Sequence, residues 1–197
     1  MHTHLAVTSW LNIYIATAFY SKLFNCCPNL RELTFTGWVD DPKITNAHNS
    51  DGDYHADLHE PRPDERFWDT QVVAALNLVL SRHQAGANPD TMLDRVTLEI
   101  GSPRPARAHL ERYVEAFRRL DTVLFRLSEP PETPASADAN DSDALQKVVV
   151  RHRRDYSDEY MFFSIDQRGR FGEDDQKCLE EMFPKLAAKG ILSIEEF

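Results

Sequence analysis

The side chains best suited to metal or acid–base chemistry are concentrated in residues 48–60. They are His48, Asp51, Asp53, His55, Asp57, His59 and Glu60. His55 and His59 are four residues apart, so a helix would place both on one face, as a zinc site requires. The segment nevertheless lacks the Glu beside the first His that zinc proteases use as a base. A calcium loop is also disfavoured, because its twelfth position, counted from Asp51, is Arg62. We expect a solvated loop without bound metal, and the alternative is a metal-dependent enzyme that uses residues 48–60.

Motifs for nucleophilic catalysis or phosphate binding are missing from the sequence. It has no G-x-S-x-G, no S-x-x-K and no glycine-rich phosphate loop. Cys26, Cys27 and Cys178 form an odd set that fits no disulfide framework and indicates a reducing compartment, either cytoplasm or nucleus. We expect all three thiols to be buried. The sequence therefore predicts a protein that is not an enzyme, with no catalytic, metal-binding or cofactor-binding residues.

The charge balance restricts the classes of partner. The net charge of −10 and the pI near 5.2 oppose general attraction to nucleic acid or to anionic membranes. Residues 5–20 carry no charge, but four polar residues interrupt them and the stretch is shorter than the roughly 20 residues of a membrane span. We expect this stretch to be part of the core, and no nucleic-acid or membrane partner.

Alternation of apolar and polar residues predicts six short strands, at residues 5–7, 33–35, 96–100, 123–127, 148–150 and 192–194. Apolar residues at spacings of three, four and seven predict helices at residues 72–80, 110–117 and 179–186, and a fourth helix is expected within residues 10–24. Pro184 should end or kink the helix before it, and Gly190 should terminate the turn that follows.

A repeated order of helix and then strand is typical of parallel strands joined by crossovers. The strand markers Leu5, Leu33, Val96, Val123, Val148 and Leu192 are 28, 63, 27, 25 and 44 residues apart. Three of these intervals match the repeat of about 20–29 residues in leucine-rich repeats. We therefore predict one α/β domain over residues 1–197: an irregular leucine-rich-repeat-like solenoid with sequential parallel strands and helices on one face.

Three further segments complete the predicted organisation. Residues 40–69 and 129–143 are rich in polar residues and proline, which predicts flexible insertions. Residues 160–165 (YMFFSI) predict an extra C-terminal strand that forms an antiparallel hairpin with the strand at Val148.

The segment CPNLRELTF at residues 27–35 resembles the C-P-N-L-x-x-L signature of leucine-rich repeats in F-box proteins. Residues 120–125 and 145–150 look like weaker copies, and residues 179–192 are similar to the C-terminal ends of fungal, mainly basidiomycete, F-box and F-box-like proteins. The resemblance implies the substrate-recognition module of a ubiquitin ligase, whose F-box docks on an adaptor while the repeats hold the target. No F-box-like sequence precedes the repeats, so we expect an N-terminally truncated member that binds the adaptor only if the full-length protein supplies an F-box.

Polar residues between the core positions of the predicted strands form the candidate site. In a repeat protein such residues form one continuous surface that binds another protein. We expect the same here, with a protein target whose identity the sequence does not give. The predicted protein-binding surface consists of Arg31, Glu32, Thr34, Thr36, Arg95, Thr97, Glu99, Arg126, Lys147 and Arg151.

Overall fold

Five parallel strands form the centre of the computed structural model, and their order in the sheet follows their order in the chain. The model describes residues 3–8, 20, 22, 26–27, 30–38, 67–84, 93–102, 110–130, 144–154 and 173–196. The strands are β1 (Thr3–Thr8), β2 (Leu30–Trp38), β3 (Arg95–Ser102), β4 (Lys147–Arg154) and β5 (Leu192–Glu196). The predicted α/β class and the sequential parallel order are confirmed.

Helices lie between the later strands. A π-helical turn, Phe67–Val72, continues into α1 (Val73–Gln84), and a 3-10 turn, Glu111–Tyr113, leads into α2 (Val114–Leu127). Between β4 and β5 come α3 (Glu173–Met182) and α4 (Pro184–Lys189).

Pro184 and Gly190 have the roles that the sequence predicts. Pro184 occupies the first turn of α4, where its missing N–H is not needed. Gly190 ends α4 in the left-handed conformation, at φ 76°.

The two faces of the sheet differ because successive strand residues point to opposite sides. One face carries Leu33, Phe35, Val96, Leu98, Ile100, Val148 and Val150, all with no exposed surface. These side chains form a single hydrophobic cluster with the buried residues of all four described helices. Val149 is also fully buried, yet it is not a member of that cluster, because it points to the other face.

Helix α2 provides the centre of the hydrophobic cluster. The Phe117 ring is 5.6 Å from both Trp68 and Phe183. Phe67 contacts Trp68 edge-on at 5.0 Å. Above these rings Gly37 takes the position of a core side chain in β2. A Cβ at Gly37 would lie 2.6 Å from Phe67 and 2.9 Å from Trp68, so the absence of a side chain there lets the aromatic pair approach the sheet.

A side chain of helix α2 also caps the N-terminus of α4. The buried carboxylate of Asp121 accepts hydrogen bonds from the backbone N–H groups of Lys185 (3.2 Å) and Leu186 (3.1 Å). These are donors in the first turn of α4, which the N-cap residue Phe183 cannot satisfy with its own side chain. Burial raises the pKa of Asp121, and the two backbone hydrogen bonds and Lys185 oppose this shift.

Residues 123–127, predicted to be a strand, are the last part of α2. Leu120, Leu124 and Leu127 continue the buried helical stripe that begins at Leu110, so packing against the core decides in favour of helix. Without a strand at Val123, the strand markers are 28, 63, 52 and 44 residues apart. Only the first interval then falls in the leucine-rich-repeat range, so the expected regular spacing is wrong for most of the chain.

Two other expectations need correction. The insertion expected at residues 40–69 ends earlier, because Phe67 and Trp68 are buried in the core and begin a helix. The expected antiparallel hairpin on the Val148 strand is excluded over residues 148–152, because β3 and β5 already pair with both edges of β4 there.

Several predicted segments lie outside the described residues: 40–66, 131–143, 160–165 and the metal-ligand candidates at 48–60. The fourth predicted helix is described only at Tyr20 and Lys22, which are both helical. Among the helices that the structure describes, none is long and apolar enough to cross a membrane.

Candidate protein-interaction face

The sheet face opposite the helices is polar and is ordered into three rows across the strands. We call it the polar face. The amino row, nearest the strand starts, is His4, Glu32, Arg95 and Lys147. The middle row is Ala6, Thr34, Thr97, Val149 and Ser193, and the carboxyl row is Thr36, Glu99, Arg151 and Glu195.

The middle row consists of short side chains, and a row of longer side chains lies on either side of it. Thr34 is 9%, Thr97 4% and Val149 0% exposed, so the centre of this row, the floor of the polar face, is shielded from water, whereas Ala6 at one end is exposed. His4 reaches over the floor, and its Nε2 is 2.9 Å from the Thr34 hydroxyl. A shielded floor between charged rows suits the side chains of an extended polypeptide.

The carboxyl row is a connected network. The Thr36 hydroxyl donates to Glu99 at 2.9 Å, and Arg151 donates to Glu195 at 3.0 Å and to Glu99 at 3.5 Å. The hydrogen bond from Arg151, followed by the charges of Arg151, Lys147 and Arg95, lowers the pKa of Glu195. Arg151 therefore joins three neighbouring strands, and the network fixes the side chains of this row in place.

The amino row has fewer internal bonds. Lys147 approaches Glu195 only to 3.9 Å, and its side chain is half exposed. The Nε of Arg95 is buried and has no hydrogen-bond acceptor in the part of the chain that the structure describes. The cations of this row are thus less neutralised than the carboxylates of the carboxyl row.

Eight of the ten predicted binding residues lie together on the polar face: Glu32, Thr34, Thr36, Arg95, Thr97, Glu99, Lys147 and Arg151. The other two lie elsewhere. Arg31 lies at the start of β2, outside the alternation of the polar face, and forms an ion pair with Asp94 at 3.1 Å. Arg126 is exposed on the last turn of α2, because residues 123–127 are helical.

Five members of this face were not predicted from the sequence: His4, Ala6, Val149, Ser193 and Glu195. Alternation within the predicted strands would have identified Val149 and Ser193, since each lies between two core residues. Glu195 follows the strand predicted at residues 192–194, so extending that strand by one residue would have included it.

Outside the polar face, the described residues offer little metal or thiol chemistry. No group of three or more His, Cys, Asp or Glu side chains among them could hold a metal ion. Cys178 is buried as expected, Cys27 is half-buried, and Cys26 is exposed, so the prediction of three buried thiols is wrong at Cys26.

Comparison of the chain with models of protein families, with curated proteins and with solved structures finds no match.

Proposed function

We propose that this chain is a non-enzymatic protein-binding module that holds its target against the polar face. The observation that carries the proposal is the juxtaposition of eight predicted binding residues on one sheet face, while the described helices pack on the other. Following the sequence resemblance, the module acts as the substrate-recognition part of an F-box type ubiquitin ligase.

The charge pattern of the polar face supports a protein target. Glu32, Glu99 and Glu195 alternate with Arg95, Lys147 and Arg151, so the face carries both signs in nearly equal number. Protein surfaces carry both signs as well, whereas a nucleic acid backbone needs a continuous basic surface. The net charge of −10 disfavours such a polyanion further.

Site-specific photo-crosslinking in cells that express the natural protein tests this proposal. A photoreactive amino acid at Lys147, which is half exposed, should give a crosslink to a defined protein. The matched control is the same amino acid at Arg126, which is exposed on α2 and should give no such product. The charge reversal Arg151→Glu should abolish the Lys147 crosslink while circular dichroism stays unchanged. A folded protein that gives no crosslink at Lys147, or equal crosslinks at both positions, would contradict the proposal.

The ligase role makes a separate prediction. Residues 1–197 expressed alone should compete with the complete ligase for the target, so their overexpression should lengthen the half-life of the crosslinked protein in a pulse-chase experiment. The Arg151→Glu variant should have no effect. If the half-life stays unchanged although binding is intact, the module binds a protein outside the ubiquitin pathway.

A further inference from the structure

Arg95 is the least satisfied charged group on the polar face. It lies in β3, at the middle of the sheet, with Glu32 as its neighbour on β2 and Lys147 on β4. Its side chain is half-buried, and its Nε–H is shielded from water without an acceptor among the described residues. A buried donor without an acceptor is unfavourable, and it is most unfavourable when it carries charge.

Two of the three carboxylates on the polar face are already engaged. Glu99 accepts hydrogen bonds from Thr36 and Arg151, and Glu195 accepts one from Arg151. Glu32 directly adjoins Arg95 in the register, yet no ion pair joins the two within the described part of the chain. One carboxylate of the polar face thus does not pair with Arg95, the other two are engaged elsewhere, and the Nε–H of Arg95 lacks an acceptor among the described residues.

We infer that Arg95 receives a carboxylate of the bound protein, so that the module selects extended segments with an acidic side chain. The inference rests on the proposed function and deepens it, since it names the chemistry of the target. A guanidinium binds a carboxylate through two parallel hydrogen bonds, and a small rotation of Arg95 would bring its Nε–H into such a pair.

Binding of peptide pools tests the inference. The probes are fluorescein-labelled ten-residue peptides of random sequence in which a central position is fixed as Asp, Glu, Asn, Gln or Lys. Fluorescence polarisation should show binding of the Asp and Glu pools at least about tenfold tighter than the Asn and Gln pools. The Arg95→Gln variant should lose this preference. Arg95→Lys should retain part of it, because a Lys keeps the charge without the paired geometry.

Two further variants make the test specific. Glu32→Gln removes the competing carboxylate beside Arg95, so it should strengthen binding of the acidic pools several-fold. Arg126→Gln removes the same charge as Arg95→Gln from the exposed surface of α2 and should change nothing. Unchanged near-ultraviolet circular dichroism shows that each variant is folded.

The outcomes separate this inference from the proposed function. If Lys147 crosslinks a target but the acidic preference is absent or survives in Arg95→Gln, the inference is wrong and the protein-binding function stands. If no crosslink forms and no pool binds, both are wrong. If single-stranded oligothymidine binds more tightly than the acidic pools, the ligand of Arg95 is a phosphate and the choice of a protein carboxylate is wrong.

Discussion

Replacement of Asp121 by alanine removes a cap that one helix provides for another. Asp121 lies in α2 and is 2% exposed, and both of its oxygens accept backbone hydrogen bonds from the first turn of α4. The Leu186 N–H is buried, and the Lys185 N–H is partly buried. The N-cap residue of α4 is Phe183, whose side chain cannot accept a hydrogen bond from either donor. The substitution thus leaves two helix donors without their acceptor.

The loss of stability expected for Asp121→Ala follows from these two hydrogen bonds. An unsatisfied buried donor costs about 1–3 kcal/mol, and loss of a helix cap typically costs about 1 kcal/mol. The substitution also relieves the burial of a carboxylate, which raises the pKa of Asp121 and offsets part of the loss. We expect the free energy of unfolding to fall by about 2 kcal/mol, a substantial part of the roughly 5–15 kcal/mol that is typical of a domain. The midpoint of thermal unfolding should fall by about 4–8 °C.

Urea unfolding at neutral pH, followed by circular dichroism at 222 nm, measures the effect. Asp121→Asn keeps one acceptor oxygen and should lose about half as much stability as Asp121→Ala. The control is Glu115→Ala, also in α2, whose exposed carboxylate is 3.8 Å from Arg118; we expect a change below about 0.5 kcal/mol. An Asp121→Ala variant as stable as the control would refute the account of α4 capping.

The difference in free energy of unfolding between the natural protein and Asp121→Ala should change with pH in one direction. Because burial raises the pKa of Asp121, the folded protein holds this proton more tightly than the unfolded chain does. The contribution of the carboxyl group is therefore greatest at acidic pH and decreases as pH rises through its raised pKa. The stability gap between the natural protein and Asp121→Ala should narrow over that range. A gap that widens with pH would show that the two hydrogen bonds outweigh burial.

Three other measurements test separate parts of the structure. Gly37→Ala should lower the free energy of unfolding by about 1–3 kcal/mol, because its Cβ would lie 2.6 Å from Phe67. Gly190→Ala has nothing within 4 Å and should cost about 1 kcal/mol, from backbone strain at φ 76° alone. Arg151→Met should raise the pKa of Glu195 towards its ordinary value in a carboxyl NMR titration. Metal analysis after chelator-free purification should find less than about 0.1 equivalent of zinc or transition metal.

Each of these tests has a contrary outcome. A loss below about 0.5 kcal/mol for Gly37→Ala would show that the aromatic pair moves away from the sheet without strain. An unchanged pKa of Glu195 in Arg151→Met would mean that Lys147 and Arg95 hold its charge instead. One equivalent of bound metal would favour the alternative enzyme at residues 48–60.

The strands of the sheet were predictable because burial on one face imposes alternation within a few residues. Leu33 and Phe35 alternate with Thr34, and Val96, Leu98 and Ile100 alternate in the same way. The strand predicted at residues 123–127, which is wrong, contains a β-branched residue and an aromatic residue, so it fits either period over five positions. The longer pattern from Leu110 through Phe117 and Leu124 has helical spacing throughout and would have corrected it.

The bonds of the polar face could not be predicted from the sequence. Glu99 and Arg151 are 52 residues apart, and Arg151 and Glu195 are 44 apart. Their contact depends on the register between strands. The short alternating patterns do not fix that register, because a shift by two residues keeps the same side chains on the same face. The same reason explains the cap at Asp121, since a single Asp within a helix gives no signal that its partner is the first turn of another helix.

The sequential order of the strands has a consequence for how the chain folds. Each strand pairs with the strands that precede and follow it in the chain, so no pair has to wait for a distant segment to be made. The β3–β4 pair, with α2 between its strands, can form first and give a template edge to β2 on one side and β5 on the other. Folding by stepwise growth in both directions predicts graded amide hydrogen exchange, slowest in β3 and β4 and fastest in β1 and β5, each of which has one edge without a partner among the described strands.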